Sequence, residues 1–348
     1  MLACAEAEDF TFAQGDDLGQ IEEKDFTDAH LDAVLALPTV DVEAVRAAGF
    51  KVALDAVNSV GGILMPRLLE RMGVECVCVN CEPTGEFAHN PEPLPSNLVE
   101  LCEAVVANGA DFGISVDPDV DRLALICENG QPFGEEYTLV SVADYLLSRV
   151  YNEALDTGKS MEEITAPYLV TTSSNLSSSR ALRDVTEQYG GEYFAAAVGE
   201  VNVTTKMKDC GALIGGEGNG GVIYPALHYG RDAMVGVALF LTNLAYKKMK
   251  VSELRASYPE YVIAKNKIEL SDSALIDRIL EEVKTVYAAE DINTIDGVKI
   301  SFEAKKAWVH LRRSNTEPII RIYAEAATAE AADALAQQII SIANKFIK

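Results

Sequence analysis

At 348 residues the chain is long enough for two or three domains, because single cores stop growing well before this length. Hydrophobic residues make up 49% and charged residues 24%, which excludes a disordered chain, and 54 acidic against 29 basic residues leave a net charge of −25. That field excludes a non-specific nucleic-acid binder and a protein docking on anionic membranes, so an anionic ligand must be held by local arginines, backbone amides or a metal.

In chain order, the first forty residues carry Gly15 to Gly19, an acidic run and a short apolar pattern near Leu31 to Leu37, and do not read as a domain. After Pro38 the pattern predicts a helix at Asp41 to Ala48, a strand at Lys51 to Asp55, a helix at Gly61 to Met72 and a strand at Val74 to Val79. A helix from Pro95 to Ala107, strands Phe112 to Val116 and Leu123 to Cys127, and a helix from Glu135 to Val150 complete a layered α/β domain over 41–148.

The grammar then restarts over 149–250. Strands are expected at Tyr168 to Thr171, Tyr193 to Ala197 and Ala212 to Ile214, and helices at Ser177 to Gln188 and Val203 to Lys208. A long buried helix follows at Asp232 to Met249; its apolar stretch, Ala233 to Tyr246, is shorter than the about 20 residues a membrane span needs and carries Thr242 and Asn243. Residues 251–348 read as a small α+β domain with strands near Tyr261 to Leu270, Val298 to Phe302, Trp308 to Leu311 and Ile319 to Ala324. Its helices are an amphipathic one at Leu275 to Tyr287 and a last one N-capped by Thr328. The fold class is therefore α/β, two successive layered α/β domains followed by a small α+β domain. With no signal region in MLACAEAEDF, the expected location is cytoplasmic, and no obligate protein partner is evident.

Seven cysteines do not make a disulfide framework in a chain of this size. Cys76, Cys78 and Cys81 lie in and after a strand, without the helix start of a redox pair or the second pair of a zinc site, and are expected to be small, buried, reduced thiols.

Three clusters carry chemistry. Asp117, Asp119 and Asp121, followed by Arg122, form a tight acidic turn between the apolar runs FGISV and LALIC. Alternate carboxylates can converge on one hard cation, and a metal beside a guanidinium suits phosphoryl transfer. An EF-hand is excluded because its sixth position is Arg122 and its flanks read as strands. A strand ending in Asp-x-Asp also leaves open a magnesium phosphatase with Asp117 as nucleophile. The run Gly215 to Gly221 fits G-x-G-x-x-G but leads into Val222-Ile223-Tyr224-Pro225, not a helix, so a dinucleotide fingerprint is rejected. What remains is a loop offering Glu217 and Asn219 to vicinal hydroxyls. Arg312, Ser314 and Thr316, with Arg321 beyond Pro318, make a compact phosphate cradle.

The segments DPDVDR, GEGNGG and RRSNTEPIIR, in this order in successive domains, with FAHNPEPLPSNL before them, resemble the α-D-phosphohexomutase family over about residue 40 to the end. The resemblance implies phosphoglucomutase, phosphomannomutase or phosphoglucosamine mutase chemistry, exchanging a sugar 1-phosphate and 6-phosphate through a phosphoserine and a bisphosphate. It implies Mg2+ at Asp117, Asp119 and Asp121, with Arg122 beside the transferring phosphoryl group, and Glu217 and Asn219 on sugar hydroxyls. Arg312, Ser314, Thr316 and Arg321 would hold the non-reacting phosphate, and Arg231 stands where many relatives have a lysine before aspartate. A phosphosugar substrate and a hexose 1,6-bisphosphate activator follow from the same likeness. The family's Thr-Ala-Ser-His-Asn-Pro-like serine loop has no counterpart here: residue 88, before His89-Asn90-Pro91, is Ala. Residues 1–40 are thus expected to be the remnant of a first domain, and this chain to be a fragment inactive by itself. A non-catalytic sugar-phosphate-binding protein is the remaining alternative.

Overall fold

Two runs of five buried residues, Phe112–Val116 and Leu123–Cys127, can only be strands covered on both faces. In the computed structural model, which describes residues 2–269, 274–313 and 319–346, they are the inner and outer strands at one side of a four-stranded sheet. With β1 (Lys51–Asp55), β2 (Glu75–Val79), β3 (Phe112–Val116) and β4 (Leu123–Cys127), the order is β2-β1-β3-β4. The first three strands are parallel and β4 returns antiparallel to β3.

The next sheet repeats that plan. β5 (Leu169–Asn175), β6 (Glu192–Ala196), β7 (Ala212–Glu217) and β8 (Gly221–Ile223) run in the order β6-β5-β7-β8, with β8 again the antiparallel return. Strands β9 (Val262–Glu269), β10 (Asp291–Asn293), β11 (Val298–Phe302), β12 (Ala307–Arg313) and β13 (Ile319–Ala326) form an antiparallel sheet in the order β10-β11-β12-β13-β9. The α/β, α/β, α+β succession expected from sequence is what the chain adopts.

The helix Ala233–Lys247 is buried from Ala233 through Ala245, and Asp232 caps it by accepting from the N–H of Met234 at 2.8 Å and of Val235 at 3.2 Å. It packs against the helices Glu135–Thr157, Val42–Ala48 and Thr27–Leu35. Phe240 meets Phe112 and Phe133 edge-on, with centroids 5.4 and 5.7 Å apart. One apolar core therefore runs through the first two sheets, whereas the C-terminal sheet and its helices Ala274–Val286 and Ala329–Ala343 enclose a core of their own. No helix among the described residues is long and apolar enough to cross a membrane.

Some expected elements differ. The 95–107 helix is a 3-10 turn at Pro95–Asn97 and a helix at Val99–Asn108, because Leu98 leaves helical geometry between them. The helix expected from Ser177 starts at Ala181. Its serines go into turn hydrogen bonds instead: Ser177 N–H donates to Asn175 Oδ1 at 2.8 Å, Ser178 Oγ accepts from Gly218 N–H at 2.9 Å, and Ser179 Oγ accepts from Ala181 N–H at 3.1 Å. Cys78 is exposed and Cys76 and Cys81 are half-buried, not buried, because β2 is the edge of its sheet.

Candidate active site

The β3–β4 and β7–β8 turns occupy the same place in their two sheets, and they meet. Asp117 Oδ1 accepts from the N–H groups of Asp121 at 3.1 Å and Arg122 at 3.0 Å, which folds the acidic turn back on itself. Val120 is forced to φ +61°, a conformation β-branched residues rarely adopt, and its carbonyl accepts from Ala233 N–H at 3.0 Å. The strain throws Asp119 outward between Asp117 and Asp121, and one oxygen of each carboxylate lies within 4.8 Å of the others.

These residues fit a hard cation. Asp121 Oδ1 is buried without a hydrogen-bond partner, and the Asp117 carboxyl is pushed up to about 7, first by burial and then by the charges of Asp121 and Asp119. Both are marks of crowded oxygen ligands whose charge the neighbouring arginines offset only in part. Arg122 leans over them, its Nε 3.4 Å from Asp117 Oδ2 and 3.7 Å from Asp121 Oδ1, and this Nε is buried without a hydrogen-bond acceptor.

Glu217 ends β7 with 6% exposure. Its Oε1 accepts from Asn175 Nδ2 at 2.8 Å and Gly199 N–H at 3.2 Å, and its Oε2 from Arg231 Nη1 at 3.0 Å. Arg231 also donates through Nη2 to Asp121 and keeps its Nε 3.4 Å from Glu200. It is thus a bracket between the acidic turn and the glycine-rich turn. Asn219 Oδ1 accepts from Gly221 N–H at 3.3 Å, a local turn that fixes the loop. A Cβ on Gly218 would lie 1.9 Å from Glu136 Oε2, so any larger residue there must displace the Glu136 carboxylate from its hydrogen bond with Ser179 N–H.

Arg312 reaches the same place from the C-terminal sheet. A cavity of 160 Å3 is lined by Glu217, Asn219 and Arg312 together with Glu136, Lys265 and Tyr323. The β12, β13 and β9 register sets Arg312 opposite Arg321, and Arg321 opposite Lys267. Three cations in one cross-strand row repel, which an anion between them relieves. Arg312 Nε is buried and has no hydrogen-bond acceptor among the described residues. Ser314 and Thr316 lie outside the described residues.

The fold and this geometry agree with three family descriptions. "Phosphoglucomutase/phosphomannomutase, alpha/beta/alpha domain II" matches residues 28–130, domain III of the same family matches 139–261, and its C-terminal domain matches 266–342. The chain belongs to the phosphoglucomutase/phosphomannomutase family. It is 35% identical to the phosphoglucomutase/phosphomannomutase of Thermococcus kodakarensis over 94% of its own length and 67% of that protein's. It is 32% identical to the phosphoglucosamine/phosphogalactosamine mutase of Sulfurisphaera tokodaii, covering 88% of this chain and 64% of that one. A crystal structure of a family protein from Burkholderia thailandensis superposes with a TM-score of 0.77 at 26% identity, over 93% of this chain and 65% of the other. An N-acetylphosphoglucosamine mutase of Aspergillus fumigatus, solved with GlcNAc-6P and magnesium, shares the fold at a TM-score of 0.61 and 16% identity, over 91% of this chain and 64% of that one. The chain thus spans about two thirds of the length of these relatives.

Several groups at the cavity have no motif to announce them. Lys265 and Tyr323 were missed, although they share a strand face with Lys267 and Arg321, and two-residue alternation was the available signal. Ser177 hydrogen-bonds His310 Nδ1 at 2.9 Å. Burial lowers the His310 ring to about 4, so it is neutral, and with Nε2 donating to the Asp296 carbonyl at 2.6 Å its Nδ1 accepts the serine proton. Glu200, Asn175 and Glu136 could not be found from spacing, since each reaches the site only through tertiary packing. A second polar cluster lies behind Arg231: His30 and His228 point their Nε2 atoms at Asp232 Oδ2 from 2.9 and 3.0 Å. Gly230 N–H donates to His228 Nδ1 at 2.9 Å, so the His228 proton is on Nε2 and points at the carboxylate. Asp232 thus caps the buried helix while both imidazoles meet its other oxygen, a clamp that ties the 27–35 helix and the 224–231 loop to the helix start.

Proposed function

We propose that the chain supplies the metal, sugar and phosphate walls of a phosphohexomutase that moves a phosphoryl group between O1 and O6 of glucose, mannose or glucosamine phosphate. The observation that carries this reading is the single cavity on which Glu217, Asn219 and Arg312 converge from separate sheets, with Arg231 tying Glu217 to Asp121. A hydroxyl grip beside a phosphate cradle and an acidic turn suits a ligand with a sugar ring and charged phosphate ends.

Asp117, Asp119 and Asp121 would hold Mg2+, which when bound offsets the charge that develops on a transferring phosphoryl group. Arg122 supports the same charge from the protein side, because its buried Nε is a donor still without an acceptor. Glu217 has about four acceptor sites and spends three of them on Asn175, Gly199 and Arg231, which leaves one for a sugar hydroxyl. Arg312 and Arg321 bind the phosphate that stays in place, with Ser314 and Thr316 assigned to the same anion. No residue of this sequence is proposed as the phosphoryl donor; a serine of the family's first domain is the donor in this reading, and a hexose 1,6-bisphosphate keeps it charged. Asp117 is a poor nucleophile by comparison, being 5% exposed with Oδ1 committed to two backbone N–H groups.

Calorimetric titration of the chain with glucose 1,6-bisphosphate in Mg2+ tests the reading. Arg312→Ala removes charge-assisted hydrogen bonds of about 1.5–3 kcal/mol, so the affinity should fall about 10- to 100-fold. Unchanged binding in that variant would exclude Arg312 from the phosphate site.

A further inference from the structure

Beside the residues assigned above, the cavity has one hydroxyl whose direction the fold fixes. Ser177 lines the space that Glu217 and Arg312 share, and its Oγ lies 2.9 Å from His310 Nδ1. His310 is 1% exposed, and its Nε2 lies 2.6 Å from the Asp296 carbonyl, which can only accept. Nε2 therefore carries the ring proton, and burial, which lowers the ring to about 4, keeps it neutral. Nδ1 is left with a bare lone pair, so the Ser177 proton is committed to the ring. No other hydrogen bond reaches Ser177 Oγ among the described residues.

The chain around the serine is held from both sides. Ser177 N–H donates to Asn175 Oδ1 at 2.8 Å, and Asn175 Nδ2 donates to Glu217 Oε1 at 2.8 Å. Lys299 Nζ reaches from the C-terminal sheet to the Leu176 carbonyl at 2.7 Å. Asn175 thus ties two acceptors together: the Ser177 oxygen, with its lone pairs free, and Glu217, with one site left. His310 precedes Arg312 by two residues on β12, so both side chains leave the same face of that strand. Lys265, the other cation lining the cavity, is paired with Glu135 at 2.7 Å. The cavity is therefore polarised, with lone pairs on the side built by the second α/β domain and the Arg312 guanidinium coming from the C-terminal sheet.

We propose that Ser177 is a specificity-determining residue of the sugar site, an obligate hydrogen-bond acceptor that requires a hydroxyl hydrogen from the ring of the bound phosphosugar. The assignment rests on the mutase reading and adds a direction to it. An unrestrained serine hydroxyl turns either way, accepting from a sugar hydroxyl or donating to a phosphate. Ser177 cannot donate while it is bonded to His310, so it turns phosphate oxygens away. The ring is thereby oriented with a hydroxyl toward the end of β5 and a phosphate toward Arg312. A ring position without a donor sets lone pair against lone pair and is rejected.

The test is calorimetric titration of the full chain in Mg2+ with glucose 1,6-bisphosphate and with its analogues carrying fluorine in place of the hydroxyl at C2, C3 or C4. Fluorine fills the place of the hydroxyl without donating. One analogue should bind the wild-type chain about 3- to 10-fold more weakly than the parent, and Ser177→Ala should weaken the parent by a similar factor. The two losses should not add: Ser177→Ala should hold that analogue as tightly as it holds the parent. Equal wild-type affinity for all four ligands, losses that add for every analogue, or parent affinity unchanged in Ser177→Ala overturns the proposal. Ser177→Ala strands His310 Nδ1, so the same comparison is made in Ser177→Ala with His310→Leu, which removes both ends of the buried bond together. A Ser177–His310 bond that serves only to join the domains lowers Tm and gives the additive result. Failure of the parent to bind the wild-type chain sinks the mutase reading and this one with it, whereas additive losses in a chain that binds the parent sink the serine assignment alone.

Discussion

The backbone N–H of Leu123 donates to the carbonyl of Gly220 at 3.0 Å, so the acidic turn and the glycine-rich turn are joined through the main chain. Gly220 has φ +90°, and a Cβ there would lie 2.4 Å from the Leu123 carbonyl oxygen. Gly220→Ala should therefore destabilise the protein by about 2 kcal/mol through backbone strain and a forced separation of the two turns. Urea unfolding measures it, and a loss within error of zero would mean the turns are not coupled.

Arg231 is 13% exposed between Asp121 and Glu217. Arg231→Met leaves buried Glu217 and half-buried Asp121 without this cation and should cost about 3 kcal/mol in metal-free protein. If Mg2+ binds at Asp121, saturating Mg2+ recovers part of that loss. An equal loss with and without Mg2+ would detach Asp121 from the metal.

Asp117 makes the Mg2+ effect depend on pH. A carboxyl raised from 3.8 to about 7 by folding contributes stability that is complete below the lower value and lost as pH rises through the upper one. Metal-free protein should weaken across that window while Mg2+ removes the penalty, so the gain in Tm on adding Mg2+ should be larger at about pH 8 than at about pH 5. Scanning calorimetry with and without Mg2+ decides it, and Asp117→Asn should flatten the difference.

His30 ties the Thr27–Leu35 helix to the cap of the buried helix through Asp232. That hydrogen bond raises the His30 value above 6.5, so its stabilisation is complete below 6.5 and is lost as pH rises through the raised value. Protease cleavage near the Thr27–Leu35 helix should speed up as the solution is made alkaline. In His30→Ala the cleavage should be fast and indifferent to pH.

Strands β1, β3, β4 and β11 begin and end at the residues their patterns predict, the first three because they are mostly apolar runs bounded by turn residues and β11 because it alternates apolar and polar residues. The Asp117, Glu217 and Arg312 clusters were legible for a related reason: each is a dense polar turn set between apolar strands. That the cavity also holds Glu136 was not legible, and strand alternation alone could not aim Lys265 and Tyr323 at it, since all three meet only once the C-terminal sheet and the Glu135–Thr157 helix pack against the second sheet. The cysteine burial was misread because nothing local in ECVCV distinguishes an edge strand from a central one. Helices Met161–Thr165 and Val251–Ala256 were too short to show a period, although the Ser160–Glu163 capping box marks the first of them.

The continuous core beneath the first two sheets has a mechanical consequence. Asp121 and Glu217 ride on one rigid block, while Arg312 rides on a separately cored sheet joined to it by polar links such as Lys299 to the Leu176 carbonyl, Arg183 to Glu303 and Val198 to Asp296. Such links re-form in water at little cost, whereas splitting an apolar core does not come cheaply. The seam of weakest apolar cohesion therefore lies between the Arg312 sheet and this block, whereas the acidic and glycine-rich turns share a single core and a main-chain hydrogen bond.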